Sequence, residues 1–251
     1  MKRSLKPIHG PEVDCHFVGV SDLHQAQLAA IEAAYARRED RGLYSSFDPA
    51  HQLVCQERER QMLQLLAHHG WKDLREARIL EIGCGTGAWL RQFIQWGARP
   101  ENILGVDLLP ARIAEASRLC PSGVILKCAD ARHVEAPDQS RDLILQSTVF
   151  TSVLDTNMRV QLAREMLRLL KHKGLILWYD FHVNNPRNPD VRGVTRREIH
   201  KLFPGCRIFL KRLTLAPPLG RRVARISTAL YRTLSCFKPA CTHYLGVIQK
   251  P

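Results

Sequence analysis

The chain has 251 residues, a net charge of +13 and 45% hydrophobic residues, which suits one globular α/β domain with appendages. It contains no run of about 18 or more apolar residues, and its basic start lacks the apolar core of a signal peptide. Its eight cysteines form no CxxC pair, which argues against a zinc site or a disulfide scaffold and fits reduced thiols in the cytoplasm.

The first 75 residues are predicted to be helical. Residues 21–40 open with Ser21 or Asp22 as a helix N-cap and then carry apolar residues at helical spacing. A polar break at 41–50 follows, and residues 51–71 repeat the helical period as far as Gly70. We expect residues 1–75 to form a helical extension and lid beside a main domain at 76–251.

From residue 76 onward, strands and helices alternate. Apolar strand candidates lie at 78–83, 103–109, 124–129, 142–148 and 174–181, and helix candidates lie at 87–96, 110–119, 157–172 and 195–203. Continuous apolar strands that alternate with helices predict a parallel sheet covered on both faces. Two further strands, at 206–215 and 242–250, flank an insert at 216–241 that is predicted to be helical over 219–237.

A glycine-rich turn, LEIGCGTGAWL (80–90), follows the first of these strands. No Lys follows the glycines, which excludes a Walker loop. Gly83, Gly85 and Ala88 match the dinucleotide fingerprint, and Asp107 at the next strand end suits the ribose of NAD or of another cofactor. Glu81 distinguishes these cofactors, because a carboxylate so close to the glycine turn disfavours a pyrophosphate bound there and favours a cationic amino acid group.

The motifs E-x-G-C-G-T-G (81–87), G-V-D-L (105–108) and C-A-D-A (128–131) resemble those of class I S-adenosylmethionine-dependent methyltransferases over about residues 76–181. The resemblance implies a Rossmann-like α/β fold with a seven-stranded, mostly parallel sheet and an antiparallel last strand. The N-terminal helices and the insert at 216–241 would then be an extension and a cap. S-adenosylmethionine is the implied cofactor, and a dehydrogenase is the alternative.

The resemblance also assigns a cofactor site. Asp107 would accept both ribose hydroxyls, Leu108 would pack on the adenine, and Asp130 would accept the adenine amino group, although Asp130 also suits a turn or a helix cap. The predicted site comprises Glu81, Gly83, Cys84, Gly85, Gly87, Asp107, Leu108, Ala129, Asp130, Ala131, Gln146 and Ser147.

The fourth strand narrows the range of methyl acceptors. Its end, LQSTVF (145–150), lacks the [ND]-P-P-[YF] sequence by which enzymes that methylate amino groups of nucleic acids and protein glutamine resemble one another. No Pro-Cys nucleophile is present, which argues against cytosine-5 chemistry. Gln146 stands where catechol-type enzymes carry a metal-binding Asp, so we expect no metal.

The loop at 179–205 leaves the fifth strand at the edge where open α/β sheets bind ligands. His182 is the first candidate for a general base, because histidine titrates near ~6.5. Asp180 is the alternative, as the base or as the group that orients the imidazole. Residues expected at the acceptor are Tyr44, Phe150, Asn184, Asn185 and Arg192. A surface loop held by its own asparagines is the structural alternative.

The C-terminal segment is strongly basic, with nine Lys or Arg and no Asp or Glu from Pro204 onward. This pattern fits a solvated face or an acidic partner such as nucleic acid, anionic lipid or a phosphorylated substrate. The apolar face of the insert helix predicts core packing, and a cap over the acceptor or a helix on a membrane surface is the alternative.

These patterns predict a cytoplasmic methyltransferase acting on oxygen or nitrogen of a small molecule. Residues 41–60, 184–193 and 242–251 more weakly resemble bacterial methyltransferases of natural-product or cell-surface biosynthesis. The acceptor would then be acidic or lipid-linked, and no nucleic acid is expected. A tRNA or rRNA methyltransferase is one alternative, because the C-terminus is basic. A cofactor-binding regulatory protein without turnover is another.

Overall fold

The computed structural model describes residues 33, 45, 47–185 and 188–251. Its strands are β1 (Ile79–Ile82), β2 (Ile103–Asp107), β3 (Ile125–Cys128), β4 (Arg141–Ser147), β5 (Leu170–Phe181), β6 (Arg207–Leu215) and β7 (Cys241–Gln249). They form one sheet in the order β3-β2-β1-β4-β5-β7-β6. The first five strands are parallel, and β7 runs antiparallel between β5 and β6. The predicted Rossmann-like fold is confirmed.

The principal helices are α1 (Pro49–His68), α2 (Ala88–Gln95), α3 (Pro110–Leu119), α4 (Thr156–Leu169), α5 (Arg196–Leu202), α6 (Pro217–Ile226) and α7 (Thr228–Cys236). Two predicted boundaries were wrong. The helix predicted to reach residue 172 ends at Leu169, where β5 begins. The insert holds two helices, because Ser227 is extended and its hydroxyl caps α7 by accepting from the Leu230 N–H (3.3 Å).

Helices cover both faces of the sheet. On one face, α1 and α2 pack on the sheet through Met62, Leu66 and Phe93. On the other face, α4 and α5 contribute Met166 and Leu202. A smaller cluster joins the start of α1 to the insert and contains Ala50, Leu215, Val223, Ala224 and Tyr231. The insert is therefore anchored to α1, while the predicted helix at 21–40, Ala33 apart, lies outside the described residues.

Within the described part of the chain, no helix is long and apolar enough to cross a membrane, and no cluster of His, Cys, Asp or Glu could hold a metal ion. Six cysteines in these residues are free thiols.

Candidate functional site

The turn after β1 is built from three glycines in the left-handed backbone region, with φ of +66° at Gly83, +54° at Gly85 and +75° at Gly87. Side chains would also lack space at two of these positions. A Cβ on Gly83 would lie 2.6 Å from Val149 Cγ2, and one on Gly87 would lie 2.5 Å from Cys120 Sγ. The turn therefore requires glycine both for its conformation and for the close approach of its neighbours.

Asp107 connects this turn to the end of β2. One carboxylate oxygen accepts the Gly85 N–H (2.8 Å), and the other accepts the Leu109 N–H (3.0 Å). A carboxylate has about four lone-pair positions, so two hydrogen bonds leave acceptor capacity on both oxygens. That capacity suits the paired hydroxyls of a ribose.

A cavity opens beside the turn at the carboxyl ends of β1 to β4. Its lining includes seven of the predicted cofactor residues, namely Gly83, Asp107, Leu108, Ala129, Asp130, Ala131 and Ser147. The opposite wall comes from the loop after β4 and from α4, with Val149, Ser152, Val153, Met158 and Leu162. This wall was not predicted, because apolar residues in a loop carry no motif.

Asp130 lies in the cavity wall, and its carboxylate is already engaged. The Arg132 guanidinium donates from Nε to both carboxylate oxygens (3.0 and 2.8 Å), and the Arg132 backbone N–H donates to one of them (2.9 Å). The backbone carbonyl of Asp130 accepts from His133 N–H (3.0 Å). This geometry matches the alternative of a turn residue, and any adenine contact would share the carboxylate with Arg132.

Glu81 and Arg58 are two ionisable side chains near the glycine turn, and each has a buried atom without a hydrogen-bond partner among the described residues. Glu81 is 2% exposed, and among the described residues neither its Oε2 nor Arg58 Nε has a hydrogen-bond partner. The Arg58 guanidinium lies over the rings of Trp89 (4.6 Å) and Tyr179 (5.0 Å). Burial, reinforced by Asp107, raises the pKa of Glu81 well above its usual value, and the charge of Arg58 opposes that rise.

This pair fits the amino acid group of S-adenosylmethionine. An ammonium placed there would satisfy the Glu81 carboxylate, and a carboxylate would satisfy the Arg58 guanidinium. Buried charged groups are normally paired, so their orphaned atoms indicate a partner supplied by a ligand. Arg58 lies outside every sequence motif, and only the packing of α1 against the sheet brings it to Glu81.

Cys84 and Gln146 occupy supporting positions. Cys84 is buried in the core beneath the turn. Gln146 is fully buried, and its Oε1 accepts the N–H of Val149 (3.4 Å). Neither side chain lines the cavity, and Gln146 Nε2 has no hydrogen-bond partner among the described residues, so the assignment of both residues as cofactor contacts stays a prediction.

Asp180 is fully buried, and its carboxylate makes no hydrogen bond to His182. Its oxygens accept from the Thr151 hydroxyl (2.7 Å), the Thr151 N–H (3.2 Å) and its neighbour's N–H at Phe181 (2.9 Å). Burial raises the pKa of Asp180 to about 7 against these hydrogen bonds. The prediction that Asp180 orients the imidazole is wrong, because its acceptor capacity is directed to the loop after β4.

His182 is oriented by a different group. Its Nε2 lies 3.0 Å from the Cys241 carbonyl oxygen, and its ring stacks on Tyr244 with centroids 4.3 Å apart. A carbonyl only accepts, so Nε2 carries the proton and Nδ1 is the acceptor in the neutral ring. Burial lowers the pKa of His182, which keeps the ring neutral at pH 7.

Phe150 belongs to the core and not to an acceptor pocket. It is fully buried, and its ring packs against Trp178 at 4.8 Å and Phe203 at 6.3 Å. Its prediction as a substrate contact is wrong, because the short helical turn at 150–152 directs this side chain under the sheet edge.

The other predicted acceptor residues lie in the loop after β5. Arg192 pairs with Glu198 (3.0 Å), and Asn184 Oδ1 accepts the N–H of Gly193 (2.9 Å). Asn185 is exposed, and Tyr44 lies outside the described residues. Arg192 and Asn184 thus hold the loop to itself and to α5, as the structural alternative expected, and neither lines the cavity.

Arg159 holds the loops after β4 and β5 together, and it belongs to no sequence motif. Its guanidinium is fully buried and donates to the Val153 carbonyl (2.7 Å), the Glu198 carboxylate (2.6 Å) and the Arg192 carbonyl (2.8 Å). One side chain thereby connects the cavity wall, the loop after β5 and α5.

A second cavity, of about 610 Å³, lies between α1 and α7. Its lining includes Glu57, Arg60, Arg232 and Lys238. Lys211 of β6 contributes to the same charged group, because its pKa is lowered by burial and by the nearby charges of Lys238 and Arg60. Cations crowded in this way favour an anionic ligand. Glu57 precedes Arg58 on α1, so one helix serves both this cavity and the glycine turn.

Comparison with known proteins supports the fold and the cofactor. Residues 79–174 match the family described as a methyltransferase domain. The chain is similar to a tRNA N(3)-cytidine methyltransferase of Gallus gallus, with 30% identity over 112 residues, which is 41% of this chain and 30% of that protein. It is also similar to a mitochondrial citrate synthase-lysine N-methyltransferase of Pongo abelii, with 28% identity over 46% of this chain and 53% of that protein.

A solved structure gives the same fold. It is a phosphoethanolamine N-methyltransferase 2 of Haemonchus contortus in complex with phosphomonomethylethanolamine and S-adenosylhomocysteine. The TM-score is 0.56 at 20% identity, and the alignment covers 76% of this chain and 52% of that one. The two curated relatives are matched over only 30% and 53% of their own lengths, so their acceptors are not transferred to this chain.

Proposed function

Because the chain belongs to the class I S-adenosylmethionine-dependent methyltransferases, we propose that it methylates oxygen or nitrogen of a small, acidic acceptor. The observation that carries the proposal is the cation-lined cavity of about 610 Å³ between α1 and α7. Cavities of about 300–1,000 Å³ are the usual size of small-ligand sites.

The cofactor supplies a methyl group bonded to a sulfonium. Asp107 would bind the ribose hydroxyls, and the pair of Glu81 and Arg58 would bind the amino acid group. With both ends held, the acceptor and the methyl group can be kept in line, which supplies much of the rate acceleration in such transfers. The rings of Trp89 and Tyr179 exclude water around Arg58.

His182 is the group we propose to receive the acceptor's proton. Its Nε2–H is fixed on the Cys241 carbonyl, which leaves Nδ1 as the basic atom of the neutral ring. Asp180 would hold the loop after β4, as a positioning residue. We propose that α1, whose Arg58 lies behind the glycine turn, provides the lid function predicted for the N-terminal region. The cytoplasmic location stays a prediction.

A tRNA methyltransferase is the second candidate. It is favoured by the similarity to the Gallus gallus tRNA N(3)-cytidine methyltransferase and by the basic C-terminus. A protein-lysine acceptor follows in the same way from the Pongo abelii relative. Both candidates predict macromolecular products, whereas the proposal predicts a small acidic one.

Methyl transfer from tritiated cofactor separates these candidates. The purified chain is incubated in parallel with a small-molecule extract, total RNA and total protein, and Asp107→Ala serves as the variant with impaired cofactor binding. We expect label in small acidic products, reduced in Lys211→Gln and unchanged in Arg164→Gln, an exposed position on the opposite face. Label in RNA or protein alone would overturn the small-molecule proposal, and cofactor binding without label in any fraction would indicate the regulatory alternative.

A further inference from the structure

The insert carries large apolar side chains that the fold leaves in solvent. Ile226 at the end of α6 is 77% exposed, Phe237 after α7 is 61% exposed, and Leu219 and Leu230 are 40% and 43% exposed. Leu219 and Ile226 are seven residues apart on α6, which places them on one flank of that helix. Leu230 lies on α7, and Phe237 is the residue that follows its last turn.

A further apolar residue comes from the segment before α1. Phe47 is 94% exposed, and its neighbour Asp48 contacts Arg225 of α6 at 3.6 Å. Phe47 thus belongs to the segment that contacts the last turn of α6. We call these five residues, Phe47, Leu219, Ile226, Leu230 and Phe237, the insert patch. Clustered exposed apolar residues mark an interaction surface more often than scattered ones.

The surroundings of the insert patch are basic. Arg222, Arg225, Arg232 and Lys238 are all exposed on the same two helices and the turn that follows. The chain has no Asp or Glu from residue 204 to its end, so nothing within this segment neutralises them. Arg225 pairs with Asp48 (3.6 Å), and the other three cations keep the surroundings net positive. Apolar side chains surrounded by an excess of cations match the interface of an anionic bilayer, where acyl chains lie beneath negative headgroups.

We propose that the insert patch binds the surface of anionic membranes. The apolar residues enter the headgroup region, and the arginines contact lipid phosphates. Short helices anchored to the domain by Val223, Ala224 and Tyr231 lie on such a surface without crossing it. The inference goes beyond the proposed function, and it would bring the cation-lined cavity to the membrane, where an acidic lipid-linked acceptor resides.

Vesicle flotation tests the proposal. The full chain is mixed with phosphatidylcholine vesicles or with vesicles containing phosphatidylglycerol, without methyl donor. We expect binding to the anionic vesicles only, weakened by added salt. Ile226→Glu should reduce affinity by about tenfold or more, because it places a charge where an apolar group inserts. Ile125→Glu is the matched control, since Ile125 is 47% exposed on β3 at the far edge of the sheet.

Charge variants complete the test. Arg222→Gln should reduce affinity by about fivefold, the effect of one basic residue near an anionic surface. Arg164→Gln and Arg197→Gln, at exposed positions on α4 and α5, should leave it unchanged. Equal thermal stability of all variants excludes misfolding as the cause.

Absence of binding to anionic vesicles would overturn the proposal, as would binding that Ile226→Glu leaves intact. RNA binding that Arg222→Gln weakens and the uncharged variant Ile226→Ser does not would assign this surface to nucleic acid. None of these measurements uses methyl transfer, so their failure is separate from failure of the proposed function.

Discussion

Two aspartates at strand ends have opposite environments. Asp107 ends β2, binds two backbone N–H groups and lines a cavity. Asp180 lies near the end of β5, is fully buried and binds the loop after β4. A carboxylate at the carboxyl edge of a parallel sheet is therefore not by itself a ligand site. The next loop decides its role, according to whether it leaves the edge open or folds over it.

Arg159 connects the loop after β4, the loop after β5 and α5. These elements cover the carboxyl edge of the sheet around Asp180, which we call the second half of the edge. Loss of Arg159 should have the largest effect. Arg159→Met keeps similar volume but leaves the Val153 and Arg192 carbonyls without their donor and the Glu198 carboxylate with Arg192 as its remaining partner. We expect a loss of about 3–5 kcal/mol in the free energy of unfolding, measured by urea denaturation. Arg164→Met on the exposed side of the same helix is the control. A loss below about 1 kcal/mol would contradict a closed, rigid second half.

His182 tests whether this closed half retains a chemical role. His182→Asn should lower turnover by about 10²–10⁴ if Nδ1 receives the proton, with cofactor affinity unchanged. Since burial lowers its pKa, the acidic limb of the pH profile should lie below the usual range of histidine. His200→Asn, at an exposed position of α5, is the control. A reduction below about tenfold with the acidic limb intact would leave positioning alone as the source of catalysis.

Asp180 should make stability depend on pH. Its pKa is about 7 in the folded state and near 3.8 when unfolded. Between these values the folded chain holds a proton that the unfolded chain has lost, so the contribution of Asp180 to stability falls as pH rises. Relative to Asp180→Asn, the wild type should lose about 1–4 kcal/mol between pH 4 and 7.5 in urea denaturation. A difference that stays constant with pH would contradict the raised pKa.

The first half of the edge, formed by the glycine turn and Asp107, can be predicted well from the sequence because its requirements are local. Three left-handed glycines, an acid two residues before them and Asp107 in the neighbouring strand follow from the backbone path of one turn and two adjacent strands. Such requirements leave a pattern at fixed spacing, and the fold class follows from the same strand and helix periods.

The second half depends on contacts between distant residues, which leave no local pattern. Asp180 meets Thr151 across 29 residues, and Arg159 meets Glu198 across 39. The burial of Phe150 depends on Trp178 and Phe203, which lie on other elements. Polar residues in a loop with prolines and asparagines are consistent with either a ligand site or a closed loop, and only tertiary packing distinguishes them.

Asp107 tests the open half. Asp107→Ala removes the acceptor for ribose hydroxyls and should weaken binding of S-adenosylhomocysteine by about 1.5–3 kcal/mol in calorimetry. Asp142→Ala, at the start of β4 and the opposite edge of the sheet, should leave that affinity unchanged. Equal weakening by both variants would indicate a general loss of structure, and tight binding of NAD by the wild type would contradict the cofactor assignment.

Asn184 gives the smallest expected effect and the finest test of the comparison. Its side-chain oxygen accepts the Gly193 N–H at 2.9 Å, so the structure gives it a role inside the loop. Asn184→Ala should cost about 0.5–1.5 kcal/mol in stability, the typical net value of one hydrogen bond, and should leave the KM for the acceptor unchanged. Asn184→Asp retains an acceptor oxygen and should restore most of that stability. If the KM for the acceptor instead rises by about tenfold or more while stability is unaffected, the loop after β5 contacts the acceptor, and the second half of the edge is a binding surface after all.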